Sequence, residues 1–396
     1  MMSKLQPNRL SGIRLNVLAG LTTVLALIPD SLAFAFIAGV NPMVSLYSTI
    51  CILLLISIFG GRPGMVSSTA GSMAVLMTAL VANHGLEFLF AATILTGIIQ
   101  FLMGVFRMGK LMRFVPHSVV TGFVNSLAIL IFLSQLRYFD GQSWPMYAMV
   151  AGTLVIIYVL PRWFKAIPSP LVAIAAMTLL VVLLPGGHFQ AVGDLADISA
   201  KLPLPHFPDL PLTWSTLGTI LPISLSLAVV GYSETLLTQT MVDDLTEQKT
   251  SKDKELRGQG IANAATGFIG GMAGCALVAE SVINVKNGGR TRLSTVVAGL
   301  ALFVLIFALS DVVAAIPMAG LVGVMMYVCV EIFDWKSVAK LRRVPKADAL
   351  IMLATVAIVV TTDNLAIGVV VGVLLNLLAK AGARLPLPRS NKELEG

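Results

Sequence analysis

Long, unbroken apolar runs organise the chain, set apart by short clusters of Gly, Pro and charged residues. Val119 to Leu136 and Ala347 to Thr361 are typical, and neither shows sustained alternation with a period of two. In lipid every backbone amide has to be satisfied internally, which leaves helices or a closed barrel. Runs of this length without alternation favour helices over barrel strands. Taking about 20 residues per span and cutting at the punctuating clusters predicts roughly fourteen segments, some too short to cross alone. The first seven are Arg14–Gly39, Met43–Gly60, Thr69–Asn83, Glu87–Met108, Pro116–Leu136, Trp144–Pro161 and Pro168–Leu184. The stretch from Pro185 to Pro211 carries Asp194, Asp197, Lys201 and Asp209; too polar and broken to span, it is expected as an ordered external loop. The second seven are Trp214–Met241, Gly258–Met272, Ala279–Asn287, Leu293–Leu309, Val312–Ile332, Ala347–Thr361 and Asn364–Lys380. The expected fold is all-α and polytopic, with halves at 1–184 and 214–382, the loop at 185–213 between them and a cytoplasmic tail at 383–396.

Composition strengthens this reading. Of 396 residues 57% are hydrophobic and 12% charged, with a mean hydropathy of +0.89, outside the usage of soluble domains. The formal charge of +7 reflects topology, not a nucleic-acid partner, because the basic residues fall in alternate loops. One side collects Lys4, Arg9, Arg14, Arg62, Lys110, Arg113, Arg162, Lys165, the cluster Lys249 to Arg257, Lys286 to Arg292 and Lys336 to Lys346, while the other receives little beyond Arg137 and Lys201. That split predicts an even number of spans and cytoplasmic termini, in a bacterial inner membrane. Cys51, Cys275 and Cys329 lie in apolar stretches without metal or disulfide spacing and read as buried structural thiols. The first apolar run has no small-residue cleavage site after it and is expected to stay as a helix.

Two places in the halves correspond. Gly60-Gly61-Arg62-Pro63-Gly64 precedes the hydroxyl-rich stretch Met65 to Thr69 and a short apolar helix from Ala70-Gly71. Gly270-Gly271-Met272-Ala273-Gly274 precedes Cys275 to Val278 and a short helix from Ala279-Glu280. These units are third and tenth in the count, an odd offset, so they enter from opposite faces and meet near the midplane, as in inverted repeats. Two helix amino ends with unpaired amides then converge, which makes an anion site without Lys or Arg. The competing reading is that the glycines serve only close helix packing.

Asp30, Glu234 and Glu280 lie inside predicted spans, where a carboxylate is costly and hence a candidate functional group. They read as facing one cavity, with a proton exchanged during transport; otherwise they link helices structurally. Alternatively, Glu234 with Thr238 one turn later supplies oxygen ligands for Na⁺. No organic cofactor is indicated, and no HExxH, GxSxG or Ser/His/Asp set marks an enzyme.

Several segments resemble the SulP sulfate permeases and related anion-transporting solute carriers. They are Gly20-Leu21-Thr22 with Ile28-Pro29-Asp30-Ser31-Leu32-Ala33-Phe34-Ala35, Gly258-Gln259-Gly260-Ile261-Ala262-Asn263 with Gly270-Gly271, and Asn284 to Thr291. The resemblance implies a seven-plus-seven inverted repeat with core and gate domains, elevator-like alternating access and a homodimer. By position, it implies a pocket of Asp30 and Phe34 in helix one, Ser68, Thr69, Ala70 and Gly71 in helix three, Glu234 and Thr238 in helix eight, and Ala279, Glu280 and Ser281 in helix ten. It also implies proton coupling at Asp30 and a Na⁺ site at Glu234 and Thr238. Glu280 stands where many animal members carry arginine, and a carboxylate there paired with one in helix eight is similar to uracil permeases of the same fold. The family's C-terminal STAS domain does not follow Lys380. The expected function is secondary active transport of a small anion of the sulfate, bicarbonate or dicarboxylate class, coupled to H⁺ or Na⁺. A proton-coupled nucleobase permease and an anion channel are the alternatives.

Overall fold

The structure is a computed structural model that describes residues 9–110, 117–163, 169–183, 189–195, 205–211, 213–308, 310–341, 344–362 and 365–384. Lys4, Arg113, Lys165, Asp197, Lys201 and the tail from 385 onward lie outside the described residues. The first half contains α1 (Arg9–Ala38), α2 (Pro42–Phe59), β1 (Ser67–Thr69), α3 (Gly71–His84), α4 (Leu86–Val105), α5 (His117–Leu136), α6 (Trp144–Val159) and α7 (Ser169–Leu183). A one-turn α8 (Val192–Leu195) lies in the connection. The second half contains α9 (Trp214–Thr246), α10 (Lys252–Gly267), β2 (Gly274–Ala276), α11 (Val278–Lys286), α12 (Arg292–Ala308), α13 (Ser310–Ala314), α14 (Met318–Ile332), α15 (Trp335–Lys340), α16 (Lys346–Thr362) and α17 (Leu365–Arg384). It is a polytopic helical membrane protein. Among the described residues six helices, including those at Pro42–Phe59 and Leu86–Val105, are long and apolar enough to cross a bilayer by length and composition.

Local chemistry sets the helix starts. Asn41 accepts the Met43 amide at 2.8 Å with Pro42 in the first position of α2, the combination of a side-chain cap and a proline whose missing N–H costs nothing there. Thr213 caps α9, and Ser251 caps α10, whose first turn carries Asp253 and Glu255 toward its positive end. The expected twelfth segment is not one helix. It breaks into α13 and α14 because Pro317 disfavours a helical Ile316, and the chain after α7 takes up the exposed backbone: Val192 donates to the Ile316 carbonyl and Met318 to the Gln190 carbonyl, both at 2.9 Å. The third segment starts later than expected, since Thr69 belongs to β1. Pro29 and Pro222, by contrast, lie inside α1 and α9 without ending them.

The helices pack in two groups. α1 to α4 pack with α9 to α12, and α5, α6 and α7 pack with α14, α16 and α17; the groups meet where α1 touches α7 and α14, α3 touches α5, and α9 touches α17. The closest pairing sets α4 on α10 through Gly97 and Gly260, where a methyl on either would collide with the other helix's backbone, the small-residue contact typical of lipid-embedded helices. The four tryptophans are exposed at helix ends: Trp144 and Trp214 at the starts of α6 and α9, Trp163 beyond α6 and Trp335 opening α15. Those positions suit the two membrane–water interfaces, where amphipathic rings accumulate.

Arg62 departs from its reading as a loop charge, for it is buried. Its Nε pairs with Asp243 at 3.1 Å, and its guanidinium also donates to the Val242 carbonyl and Thr246 hydroxyl. Glu255 accepts the Gly61 and Arg62 amides at 2.6 and 2.7 Å. The turn that leads into β1 is thereby tied to the end of α9 and the start of α10. Removing one partner of a buried ion pair strands the other, so Asp243→Leu is expected to destabilise the protein by about 3 kcal/mol. A depressed melting temperature in detergent checks this; an unchanged one removes the pair from the stabilising set.

Candidate functional site

A left-handed glycine precedes each strand: Gly64 with φ +78° and Gly270 with φ +71°. Only glycine adopts that backbone freely, so each turn redirects the chain into an extended run. β1 and β2 then pair antiparallel, with Ser67 opposite Ala276, Ser68 opposite Cys275 and Thr69 opposite Gly274. Each strand passes directly into a half-helix, so α3 and α11 leave this ribbon in opposite directions and both turn their amino ends toward it.

Those amino ends are bare. Ala70 caps α3 and Leu277 caps α11, and neither makes a side-chain capping bond. The first amides of a helix have no acceptor within it, and alanine and leucine are poor N-caps because they offer none. Two sets of free N–H groups with helix dipoles behind them therefore face the ribbon from both ends.

α1 lies across both. Phe34 covers the start of α3, since a methyl on Gly71 would stand 3.0 Å from its ring and 2.8 Å from Ile131. Asp30, one turn earlier, is buried on α1, which also packs against α11, whose first turn carries the buried Glu280. One turn is about 5.4 Å of axial rise, so this face of α1 runs from the start of α11 to the start of α3, and the interval between those two starts is the gap. Asp30, Phe34 and Glu280 are buried, whereas Val278 and Ala279, just ahead of Glu280, are exposed.

Glu234 sits beside this gap. Its Oε2 accepts the Ser72 hydroxyl and the Cys275 thiol, each at 2.7 Å, joining the first turn of α3 to β2 through α9. One turn on, Thr238 donates to the Ala276 carbonyl at 3.3 Å, and Thr235 accepts the Ala276 amide at 3.3 Å. Ser68 and Thr69 turn their hydroxyls away: Ser68 bonds Thr49 at 2.8 Å and Thr69 bonds Ser45 at 2.9 Å, so toward the gap they offer backbone only. Ser281 accepts the Val66 amide at 2.9 Å and locks the ribbon. Asp30, Phe34, Ala70, Gly71, Ala279 and Glu280 thus gather at the gap, Glu234 and Thr238 form a cluster beside it, and Ser68, Thr69 and Ser281 serve the ribbon.

Sequence reasoning missed Ser72, Cys275 and Asn263. Cys275 is a buried thiol but not an inert one, because it holds the Glu234 carboxyl. Asn263 donates to the Gly274 carbonyl at 3.0 Å and accepts its amide at 2.9 Å, continuing the sheet's bonding from a side chain. Among the described residues no three His, Cys, Asp or Glu side chains come together as a metal site.

The Sulfate permease family profile matches residues 13–147 and 141–355. The chain belongs to that family. It is 56% identical over 364 residues to YbaR of Bacillus subtilis (strain 168), whose name is that of a sulfate transporter, covering 92% of this chain and 76% of that protein. It is 30% identical over 395 residues to the bicarbonate transporter BicA of Picosynechococcus sp., covering 91% of this chain and 69% of that one. Among solved structures, the transmembrane domain of a cyanobacterial BicA superposes with a TM-score of 0.82 at 28% identity, over 92% of this chain and 98% of that chain. The murine Solute Carrier 26 family member A9, in its inward-facing state, shares the fold with a TM-score of 0.83 at 18% identity, over 96% and 70%. Relatives of this sulfate permease family member are transporters, not enzymes, and the chain is an anion transporter.

Proposed function

We propose that the protein is a secondary active transporter that carries a small oxyanion between the amino ends of α3 and α11 and couples it to protons. The observation that carries this reading is the pair of uncapped half-helices facing one antiparallel ribbon. An anion there receives backbone N–H groups from both halves of the chain and needs no basic side chain. The two helix groups support an elevator-type cycle: the group holding the ribbon would be the core, and α5 to α7 with α14, α16 and α17 the gate. Fourteen spans, cytoplasmic termini, an inner-membrane location and homodimer formation belong to the same reading.

Proton coupling is the first reading and Na⁺ at Glu234 and Thr238 the alternative that the gradient panel decides: Glu234 Oε2 accepts the Ser72 hydroxyl and the Cys275 thiol, while Thr238 donates to the Ala276 carbonyl and keeps its own lone pairs. The names of the relatives support sulfate and bicarbonate as substrates, with sulfate the first probe.

Flux into proteoliposomes tests the proposal. A panel of sulfate, bicarbonate, chloride, fumarate and uracil, each with and without an imposed proton or Na⁺ gradient, is expected to show saturable oxyanion uptake driven by an inward proton gradient. Uptake of uracil in preference to every anion would replace this reading with a nucleobase permease. Non-saturating flux indifferent to gradients would replace it with a channel.

A further inference from the structure

We propose that the cavity enclosed by the start of α5, by α15 and by the start of α16 is a binding site for the headgroup of an aminophospholipid, phosphatidylethanolamine. This goes beyond the transport reading and does not depend on it. The cavity measures about 370 Å³, within the range of sites that hold small molecules. Its polar lining is Ser118 and Thr121 of α5, Asp334 just before α15, Lys336 and Ser337 within α15, and Asp348 in the first turn of α16. Bonds from α5 hold these walls in place. The buried Asn125 accepts the Asp334 amide at 2.8 Å and donates to the Ser337 hydroxyl at 2.9 Å, and Ser118 reaches Asp348 Oδ1 at 3.5 Å. Asp334 also caps α15, its Oδ1 accepting the Lys336 and Ser337 amides at 3.1 and 3.3 Å. The Asp334 carboxylate is therefore positioned before a ligand arrives, which lowers the ordering cost of binding.

The charges around the cavity select the ligand. Two carboxylates repel a simple anion, and a simple cation leaves the Lys336 ammonium facing another positive charge. A zwitterion answers both signs. A primary ammonium carries three N–H donors, as the lysine head does, and can give charge-assisted bonds to Asp334 and Asp348, while a phosphate on the same molecule accepts from Lys336. A choline headgroup has the same two charges but no N–H, so it cannot bond the carboxylates.

The surroundings assign that zwitterion to the bilayer and not to the aqueous phase. Trp335 and Val338 of α15, Leu350 and Leu353 of α16, and Val344, which lines the cavity, are all exposed. Large apolar side chains beside a charged cavity, with a tryptophan among them, mark the headgroup level of a membrane, and they offer acyl chains a surface to lie on. Between Lys336 and Lys346 the sequence also carries five basic residues, a density that draws phosphate-bearing headgroups to a segment next to a membrane helix. Asp334 and Asp348 turn this general attraction into a preference for a lipid with an amine. Once bound, the headgroup bridges α5, α15 and α16 and stiffens that group of helices.

Native mass spectrometry of the full chain tests the site, with phosphatidylethanolamine, phosphatidylcholine and phosphatidylglycerol of identical acyl chains as probes. The wild type is expected to hold phosphatidylethanolamine about tenfold more tightly than either of the others, the effect of one charge-assisted hydrogen bond. Asp334→Asn and Asp348→Asn are each expected to remove that preference, whereas Lys336→Ala should weaken phosphatidylethanolamine and phosphatidylcholine alike, through the phosphate. Asparagine caps a helix about as well as aspartate, so Asp334→Asn keeps the fold and decides the matter should Asp348→Asn fail to fold. Thermal unfolding gives a second readout: phosphatidylethanolamine is expected to raise the Tm of the wild type and to leave that of Asp334→Asn unchanged. Equal retention of phosphatidylethanolamine and phosphatidylcholine, stronger retention of phosphatidylglycerol, or a preference that survives both aspartate variants would overturn the proposal. So would displacement of the lipid by an equal concentration of free phosphoethanolamine, which would make the ligand a soluble one.

Discussion

Gly274→Ala is expected to reduce sulfate uptake to background while the protein still reaches the membrane. A methyl at this position would collide with the Ser68 carbonyl of the facing strand, a backbone atom that cannot rotate out of the way, and would press on the Ile52 side chain at 2.8 Å. The ribbon pairs only three residues on each side, so opening it by a fraction of an ångström costs a large share of its bonds. Gly274 is also the residue that Asn263 and Gln259 hold by its carbonyl and Asn263 by its amide. Displacing it moves the start of α11 relative to α3, and with it the convergence of the two amino ends. Gly218→Ala is the matched control, since nothing lies within 4 Å of a methyl there and alanine favours a helix interior over glycine. Normal uptake by Gly274→Ala would show that the ribbon's geometry is not required.

Glu234→Gln is expected to lower the sulfate uptake rate by about 100-fold, the cost of disturbing hydrogen bonds to a charged acceptor at about 3 kcal/mol. Its carboxyl is the one acceptor common to Ser72 at the start of α3 and Cys275 in β2. A glutamine with its oxygen where Oε2 stands still accepts from both, but as a neutral acceptor, and it cannot change charge as the core moves. The loss should fall on proton-gradient stimulation more than on sulfate affinity, so kcat drops and KM changes little. Thr238→Val, which removes a single 3.3 Å contact to Ala276, should cost less than tenfold. If Glu234→Gln abolished a Na⁺-driven component instead, Glu234 would be a cation ligand and not a proton carrier.

Much of this architecture was legible because it is written in punctuation. Gly60 to Gly64 and Gly270 to Gly274 mark both turns, and the apolar lengths after them are too short to span, so the half-helices followed from composition and spacing. The second segment, expected from Met43, starts one residue earlier at Pro42, and the eighth starts at Trp214 as expected. Both extended stretches were legible, but their pairing into a ribbon was not, because its register depends on contacts between the halves such as Val66 with Ser281, 215 residues apart. The same blindness hid the Glu234 cluster: Ser72 and Cys275 lie 162 and 41 residues away from it. Pro317 was in plain view, yet Pro29 and Pro222 stand inside continuous helices, so proline alone does not say where a helix ends. What distinguishes Pro317 is the segment after α7, which bonds the backbone on both sides of it. Arg62 does lie in the turn between α2 and β1, but its burial was not legible, because only the fold brings Asp243 and Glu255 around it.

Anomalous diffraction from crystals grown in selenate, a heavy analogue of sulfate, tests the central claim most directly. The account predicts one strong peak in the gap along α1 between Asp30 and Phe34, about 3 Å from first-turn amides of both α3 and α11. A peak bound by side chains elsewhere, or touching only one of the two half-helices, would contradict it.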